Sequence, residues 1–259
     1  MSREDIGRAV PTFADDLSRL LELRRTYEDH GPAGLEGLAA EHSVPMPVLW
    51  TASVLFTDLR GFTGLTEHFG PDSAGLLDVL NAHLKKIIRS ISICGGVVEK
   101  FVGDGVMATF GASNQQPDHV HRAMAAAIGL IGANEALNRR CAANWGFRLE
   151  VGVGVASGPV IIGAVGSPDR SELGVLGDPV NVAARLVADA GPGEVMMTGA
   201  VYHAVAGMLQ SQRTNQSAVR GRTGHLEIYR MSLLGGRGEA HNLGPSPNNL
   251  VAGPTMLAR

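Results

Sequence analysis

The chain has 259 residues, 44% hydrophobic and 18% charged, the composition of a soluble globular protein with one large domain or a domain with appendages. A net charge of −3 gives no basis for a nucleic-acid or anionic-membrane partner, and no apolar run reaches the roughly 18 residues of a membrane span. The opening Met1-Ser2-Arg3-Glu4-Asp5 lacks the apolar core of a signal peptide, and Cys94 and Cys141 lie in apolar helical context without metal-ligand spacing, so the expected location is the cytoplasm with both thiols buried and free.

Residues 13–30 predict an amphipathic helix, with Phe13, Leu17, Leu20, Leu21 and Tyr27 interleaved with charges and Gly31-Pro32 as its stop. It is too short for a coiled coil and suits either a dimer contact or packing on the main domain. Residues 35–42 read as a second short helix and 44–47 as a linker. From Trp50 onward, strand and helix patterns alternate. A strand over 53–57 leads to a short helix over 62–69 and a long one over 72–93, with Leu76, Leu80, Leu84, Ile87 and Ile91 on one side. Gly95-Gly96 opens a hairpin over 97–110, and a second long helix covers 118–141. Its His119 and His121 are i, i+2, so they do not share a face as zinc ligands would, and both are expected on the surface.

Residues 147–156 and 160–165 predict the arms of a second hairpin turning at Ser157-Gly158-Pro159. A short strand over 173–176, a helix over 179–190 with Pro near its start, a strand over 194–197, a helix over 200–208 and a strand over 226–231 complete the pattern. The domain reading is therefore an N-terminal helical segment and linker over 1–47, a catalytic-sized domain over 48–232, and a Gly-, Pro- and Asn-rich tail over 233–259 that is expected to be disordered. The fold class is α+β, with helices covering one face of a sheet. No Walker sequence is present, and although Gly152, Gly154 and Gly158 look like a Gly-rich loop, the residues between them read as a strand, so neither supports a P-loop.

Two strand-end acids stand out. Asp58 ends an apolar strand and precedes Leu59-Arg60-Gly61-Phe62-Thr63; Asp104 sits in Gly103-Asp104-Gly105 between two β-forming runs. Each has a bland explanation, a helix cap for Asp58 and a turn residue for Asp104. As a pair they match what Mg²⁺ or Mn²⁺ needs to grip a polyphosphate, namely one or two carboxylates plus substrate oxygens.

Three blocks carry a family likeness: Val54-Leu55-Phe56-Thr57-Asp58-Leu59-Arg60-Gly61-Phe62-Thr63, Glu99-Lys100-Phe101-Val102-Gly103-Asp104-Gly105, and Gly177-Asp178-Pro179-Val180-Asn181-Val182-Ala183-Ala184-Arg185-Leu186. In order and spacing they resemble the class III nucleotide cyclases, across roughly residues 50–232, and are most like the bacterial adenylate cyclases. The resemblance implies a ferredoxin-like core with C-terminal extensions, ATP as substrate, and two Mg²⁺ or Mn²⁺ ions per site. Asp58, Asp104 and the Leu59 carbonyl match the metal shell, with Phe62 and Thr63 beside the substrate.

Lys100 matches the residue that reads the adenine edge; a pure donor suits the acceptor N1 of adenine. Four strand residues, about 13 Å, separate it from Asp104, so the two do not readily serve one phosphate. Asn181 and Arg185 stand i, i+4 on one helix face and match the ribose-orienting Asn and the phosphate-neutralising Arg. Two positions depart from the family: Gly174 stands where Asp or Thr usually meets the adenine amino group, and Arg220 stands in place of a Lys that contacts the terminal phosphates. By the same resemblance the sites are shared across a homodimer, and an unseen regulatory partner remains open. Other readings are a guanylate or mixed-specificity cyclase, a catalytically silent nucleotide-binding regulatory module, and a metal-dependent phosphodiesterase or polymerase-like palm, which would not predict Lys100 with Asn181 and Arg185.

Overall fold

The computed structural model describes residues 48–71, 73–112, 116–167, 170–208, 214–218 and 226–233. The helices expected over 13–30 and 35–42, the linker over 44–47, Arg220 and all of the tail beyond Leu233 lie outside the described residues. In chain order the elements are β1 (Val48–Arg60), α1 (Phe62–Phe69), α2 (Ser73–Ile93), β2 (Val97–Val102), β3 (Gly105–Phe110), α3 (His119–Trp145), β4 (Glu150–Ser167) and β5 (Arg170–Leu176). They continue with α4 (Asp178–Asp189), β6 (Glu194–Thr198), α5 (Gly199–Val205) with a 3₁₀ turn at Ala206–Met208, β7 (Thr214–Ala218) and β8 (Glu227–Ser232). No helix among the described residues is long and apolar enough to cross a membrane.

One mixed sheet runs β2-β3-β1-β4-β6-β8-β7, with β5 folded back on the far end of β4. Its first half, β1-α-β2-β3-α3-β4 with strands ordered β2-β3-β1-β4, is the ferredoxin-like core, and β4 to β6 is its one parallel pairing. The α+β class is as expected. The expectation that helices cover one face is not: α2, α3 and α5 bury Leu55, Val106, Phe110, Val153 and Val195 on one side, whereas α4 buries Val54, Phe56, Met107 and Val160 under Val182 and Leu186 on the other. The cause is legible in β1, where Val54-Leu55-Phe56 is apolar at both parities, the mark of a strand covered on both faces.

The predicted second hairpin is also corrected. Residues 150–167 form one continuous strand, and Ser157, Gly158 and Pro159 pair with Ser53, Ala52 and Thr51 of β1. The Gly and Pro serve packing here. A Cβ on Gly158 would meet Pro179 Cγ at 3.2 Å, where α4 begins to cross the sheet. Pro159 falls between the residues paired with β6 and those paired with β5, so its missing N–H breaks no ladder bond. The true reversal comes later, between β4 and β5. Further along α4, a Cβ on Gly154 would lie 2.4 Å from Ala183 O and 2.5 Å from Val187 N, so that glycine sets how closely helix and sheet approach.

His119 is corrected as well. It is half-buried at the start of α3, with Nδ1 2.8 Å from the Oγ of buried Ser53, while His121 is exposed. Cys94 is a free, half-buried thiol. Strand β7 has no counterpart in the sequence reading, because Thr214-Asn215-Gln216-Ser217-Ala218 carries no apolar alternation.

Candidate active site

The candidate site lies where β1 stops. Asp58 lies on the sheet face shared with Val54 and Phe56, opposite Gly152 of β4. The turn between β2 and β3 is pressed against this strand end. Gly103 takes φ +62°, and Gly105 has no room for a side chain, since a Cβ there would fall 2.1 Å from Thr57 O. Val106 N donates to Thr57 Oγ1 at 3.1 Å, and Leu59 N donates to Asp104 Oδ2 at 3.1 Å. A strand residue directs its N–H and C=O to the same edge, so the Leu59 carbonyl also faces the edge occupied by Asp104.

These contacts remove the bland explanations. Helix α1 is capped by Gly61 at φ +74° with no side-chain cap bond, so Asp58 is not its cap. Asp104 reaches across to β1 and does more than close its own turn.

Burial raises the Asp58 pKa above the ordinary carboxylate value, the charge of Asp104 raises it further, and the Arg60 guanidinium opposes both. A half-buried carboxylate whose ionisation is opposed by a neighbouring carboxylate is a ready cation site. Among the described residues no cluster of three or more His, Cys, Asp or Glu side chains is formed, so a zinc-type cage is not built. Two carboxylates and a backbone carbonyl are hard oxygen donors that fit Mg²⁺ or Mn²⁺ and leave positions for substrate oxygens.

Side chains that sequence reasoning missed support this edge. His83, buried on α2, sits one turn from Val79, which packs with Leu59, and one turn from Ile87, which packs with Leu55 and Val106. It is therefore level with Thr57, under the hairpin. Its Nδ1 is 2.9 Å from Asn134 Oδ1; Asn134 Nδ2 and Asn138 Nδ2 each donate at 2.7 Å to Leu149 O, tying α2 to α3 and the start of β4. Burial holds the His83 pKa below the usual imidazole value, with the Asn134 bond and the charge of Asp104 opposing. A lone His in an apolar helix pattern gave no signal of this.

Arg60 is the second. Two residues beyond Asp58, it shares a strand face with it, and Nη1 lies 3.0 Å from Asp58 Oδ2. Its Nη2 donates to Val187 O on α4. The i, i+2 spacing was visible in the sequence; the reach to α4 was not.

The other expected residues are placed as follows. Lys100 is exposed on β2 opposite Met107, just past a β-bulge after Val98 that shifts the register by one residue. Phe62 and Thr63 open α1 immediately beyond β1, half-buried and exposed respectively. Asn181 and Arg185 are both exposed, on the side of α4 away from the buried Val182, Ala183 and Leu186. Gly174 on β5 pairs with Gly163, and a Cβ there would lie 2.7 Å from Val165 Cγ2. The fold thus brings Asp58, Asp104 and Leu59 together, and it sets Asn181 and Arg185 on the outside of a helix about 10 Å thick.

The chain and its fold are similar to known nucleotide cyclases. Residues 44–232 match the family model described as the adenylate and guanylate cyclase catalytic domain. An adenylate cyclase of Anabaena cylindrica is 32% identical over 198 residues, covering 71% of this chain and 39% of that protein. The terminal-differentiation-specific adenylate cyclase of Dictyostelium discoideum is 34% identical over 157 residues, 60% of this chain and 7% of that protein, so the chain spans a minor part of both. Among solved structures, the guanylyl cyclase Cya2 matches at TM-score 0.65 and 28% identity, with 77% of this chain and 98% of that one covered. The adenylyl cyclase CyaB from P. aeruginosa matches at TM-score 0.65 and 26% identity, with 76% and 99% covered.

Proposed function

Because this chain belongs to the family of adenylate and guanylate cyclase catalytic domains, we propose that it is an adenylate cyclase that closes ATP to 3′,5′-cyclic AMP. The ribose 3′-oxygen bonds to the α-phosphorus, the bond from that phosphorus to the pyrophosphate oxygen breaks, and the 3′-hydroxyl proton is lost. The observation that carries the reading is the docking of Asp104 against the strand end that bears Asp58, through Leu59 N. Two Mg²⁺ or Mn²⁺ ions at Asp58, Asp104 and the Leu59 carbonyl would supply charge neutralisation of the triphosphate and acidify the 3′-hydroxyl.

The chain's own residues do the rest. The first backbone amides of α1, by Phe62 and Thr63, where no side chain caps the helix, suit phosphate oxygens. Lys100 donates to adenine N1 from an exposed strand position. Asn181 orients the ribose, and Arg185 meets the charge that builds on the α-phosphate. Arg220 would hold the terminal phosphates. The outward placement of Asn181 and Arg185 on α4 supports a homodimer in which one copy contributes Asp58 and Asp104 and its partner contributes Lys100, Asn181 and Arg185.

A second reading, a guanylate or mixed-specificity cyclase, draws on Gly174. That position offers no polar side chain and is flanked by Val165, so base choice leans on Lys100 and backbone groups. The test is product formation by purified protein from ATP or GTP with Mg²⁺ or Mn²⁺, with Asp104→Ala as blank. Cyclic AMP that vanishes in the variant is the expected result. Cyclic GMP as main product favours the second reading, and no product from well-folded dimer refutes both.

A further inference from the structure

Arg60 makes two contacts that point in different directions. Nη1 pairs with Asp58 Oδ2 at 3.0 Å, while Nη2 crosses the sheet face to donate to Val187 O near the end of α4. The crossing depends on Gly152, the ladder partner of Asp58. A Cβ at that position would lie 2.6 Å from Arg60 Nη2, 2.9 Å from Nε and 3.0 Å from Ala190 O. Helix α4 has no basic residue in its own last turn, so Arg60 supplies the cation at its carbonyl end. Among the described residues the buried Arg60 Nε finds no hydrogen-bond partner. The guanidinium is therefore stretched between two acceptors and leaves one donor unused, though its five N–H groups form a fixed fork.

We propose that Arg60 is a positioning residue: it is the resident counter-ion of Asp58 in the metal-free protein, is displaced from that carboxylate by the divalent ion, and so ties metal occupancy to the end of α4. The inference rests on the metal-site reading above. Its consequence reaches further. Helix α4 of each copy carries Asn181 and Arg185, which in the shared-site arrangement serve the other site of the dimer. Arg60 would then be the physical link through which filling one site alters the groups presented to the second. When the carboxylate is taken by the ion, the carbonyls of Val187 and Ala190 are the acceptors left to the fork.

The test measures Mn²⁺ binding to the nucleotide-free protein by electron paramagnetic resonance. Three variants accompany the wild type: Arg60→Met, which removes the charge; Arg60→Lys, which keeps the charge without the fork; and Gly152→Ala, which pushes the guanidinium off α4. Asp58→Asn is the blank. Loss of the competing cation should tighten Mn²⁺ binding about threefold or more in Arg60→Met, the scale of a partly exposed ion pair. Arg60→Lys should stay within about twofold of wild type. Amide exchange across the last turn of α4 should change on adding Mn²⁺ to wild type and not to Gly152→Ala.

A plain structural staple predicts the reverse for Arg60→Met, and Mn²⁺ binding equal to or weaker than wild type overturns the proposal. Exchange in α4 that ignores Mn²⁺ in wild type overturns the coupling. If Arg60→Met does not fold, Arg60→Gln takes its place with the same expectation. Wild type that binds no Mn²⁺ above the Asp58→Asn blank brings down the cyclase reading itself, whereas wild type that binds normally while Arg60→Met gains nothing defeats this proposal alone.

Discussion

Substituting Gly154 by Ala tests whether the seating of α4 on the sheet governs activity. The new Cβ would come within 2.4 Å of Ala183 O and 2.5 Å of Val187 N, where ordinary contact begins near 3.4 Å, and both neighbours are helix backbone that no rotamer change can move aside. Helix and sheet must therefore separate by about 1 Å at this point. Overpacking of this kind costs about 1–3 kcal/mol. For a domain of this size that lowers the melting temperature by about 2–12 °C. The same displacement moves Asn181 and Arg185, and a 1 Å misplacement of a positioning group costs up to about 100-fold in rate. Asp58 and Asp104 lie on the strand end and hairpin rather than on α4, and Arg60 links Asp58 to Val187 O, so Mn²⁺ should still bind, with its affinity changed only through that link. The assays are thermal unfolding, Mn²⁺ titration and cyclic nucleotide production on one preparation. An unchanged melting temperature with full activity would refute the argument that Gly154 sets the depth of α4. Complete loss of Mn²⁺ binding at a normal melting temperature would refute the placement of the metal ligands on β1 and the hairpin rather than on α4.

Mixing an Asp58→Ala chain with an Arg185→Ala chain should restore part of the activity that each lacks alone, measured on verified heterodimers; a mixture as inactive as its parents rules out shared sites. Exchange of Lys100 for Glu should move preference from ATP towards GTP in competition assays, because a carboxylate accepts from the protonated N1 of guanine; an unmoved ratio excludes Lys100 from base reading. The buried His83 has a folded pKa below its unfolded value. It therefore contributes stability that is fully present above pH 6.5 and is lost as pH falls from there through the lower folded value. Denaturant midpoints of wild type should decline over that window more steeply than those of His83→Asn, and parallel curves would show that His83 is not buried neutral.

The sequence by itself singled out the candidate metal-binding positions and most of the elements. Asp58 and Asp104 were visible because strand-end acids interrupt apolar runs, and the Gly103-Asp104-Gly105 hairpin because turn sterics admit few residues. Local signals of this kind survive without knowledge of neighbours. Tertiary structure decided what depends on contacts between distant segments. Ser157-Gly158-Pro159 reads locally as a turn, yet the strand continues because β1 pairs with it from Glu150 through Ile162 and α4 needs Gly154 and Gly158 to lie close. Helix α4 was predicted with its exposed Asn181 and Arg185, but its place on the face opposite α2 and α3 follows from the apolar character of β1 at both parities. His83 and Arg60 are ordinary residues in sequence. Only the packing of α2 under the hairpin, and the glycine gap at Gly152, make one a buried support and the other a bridge between Asp58 and α4.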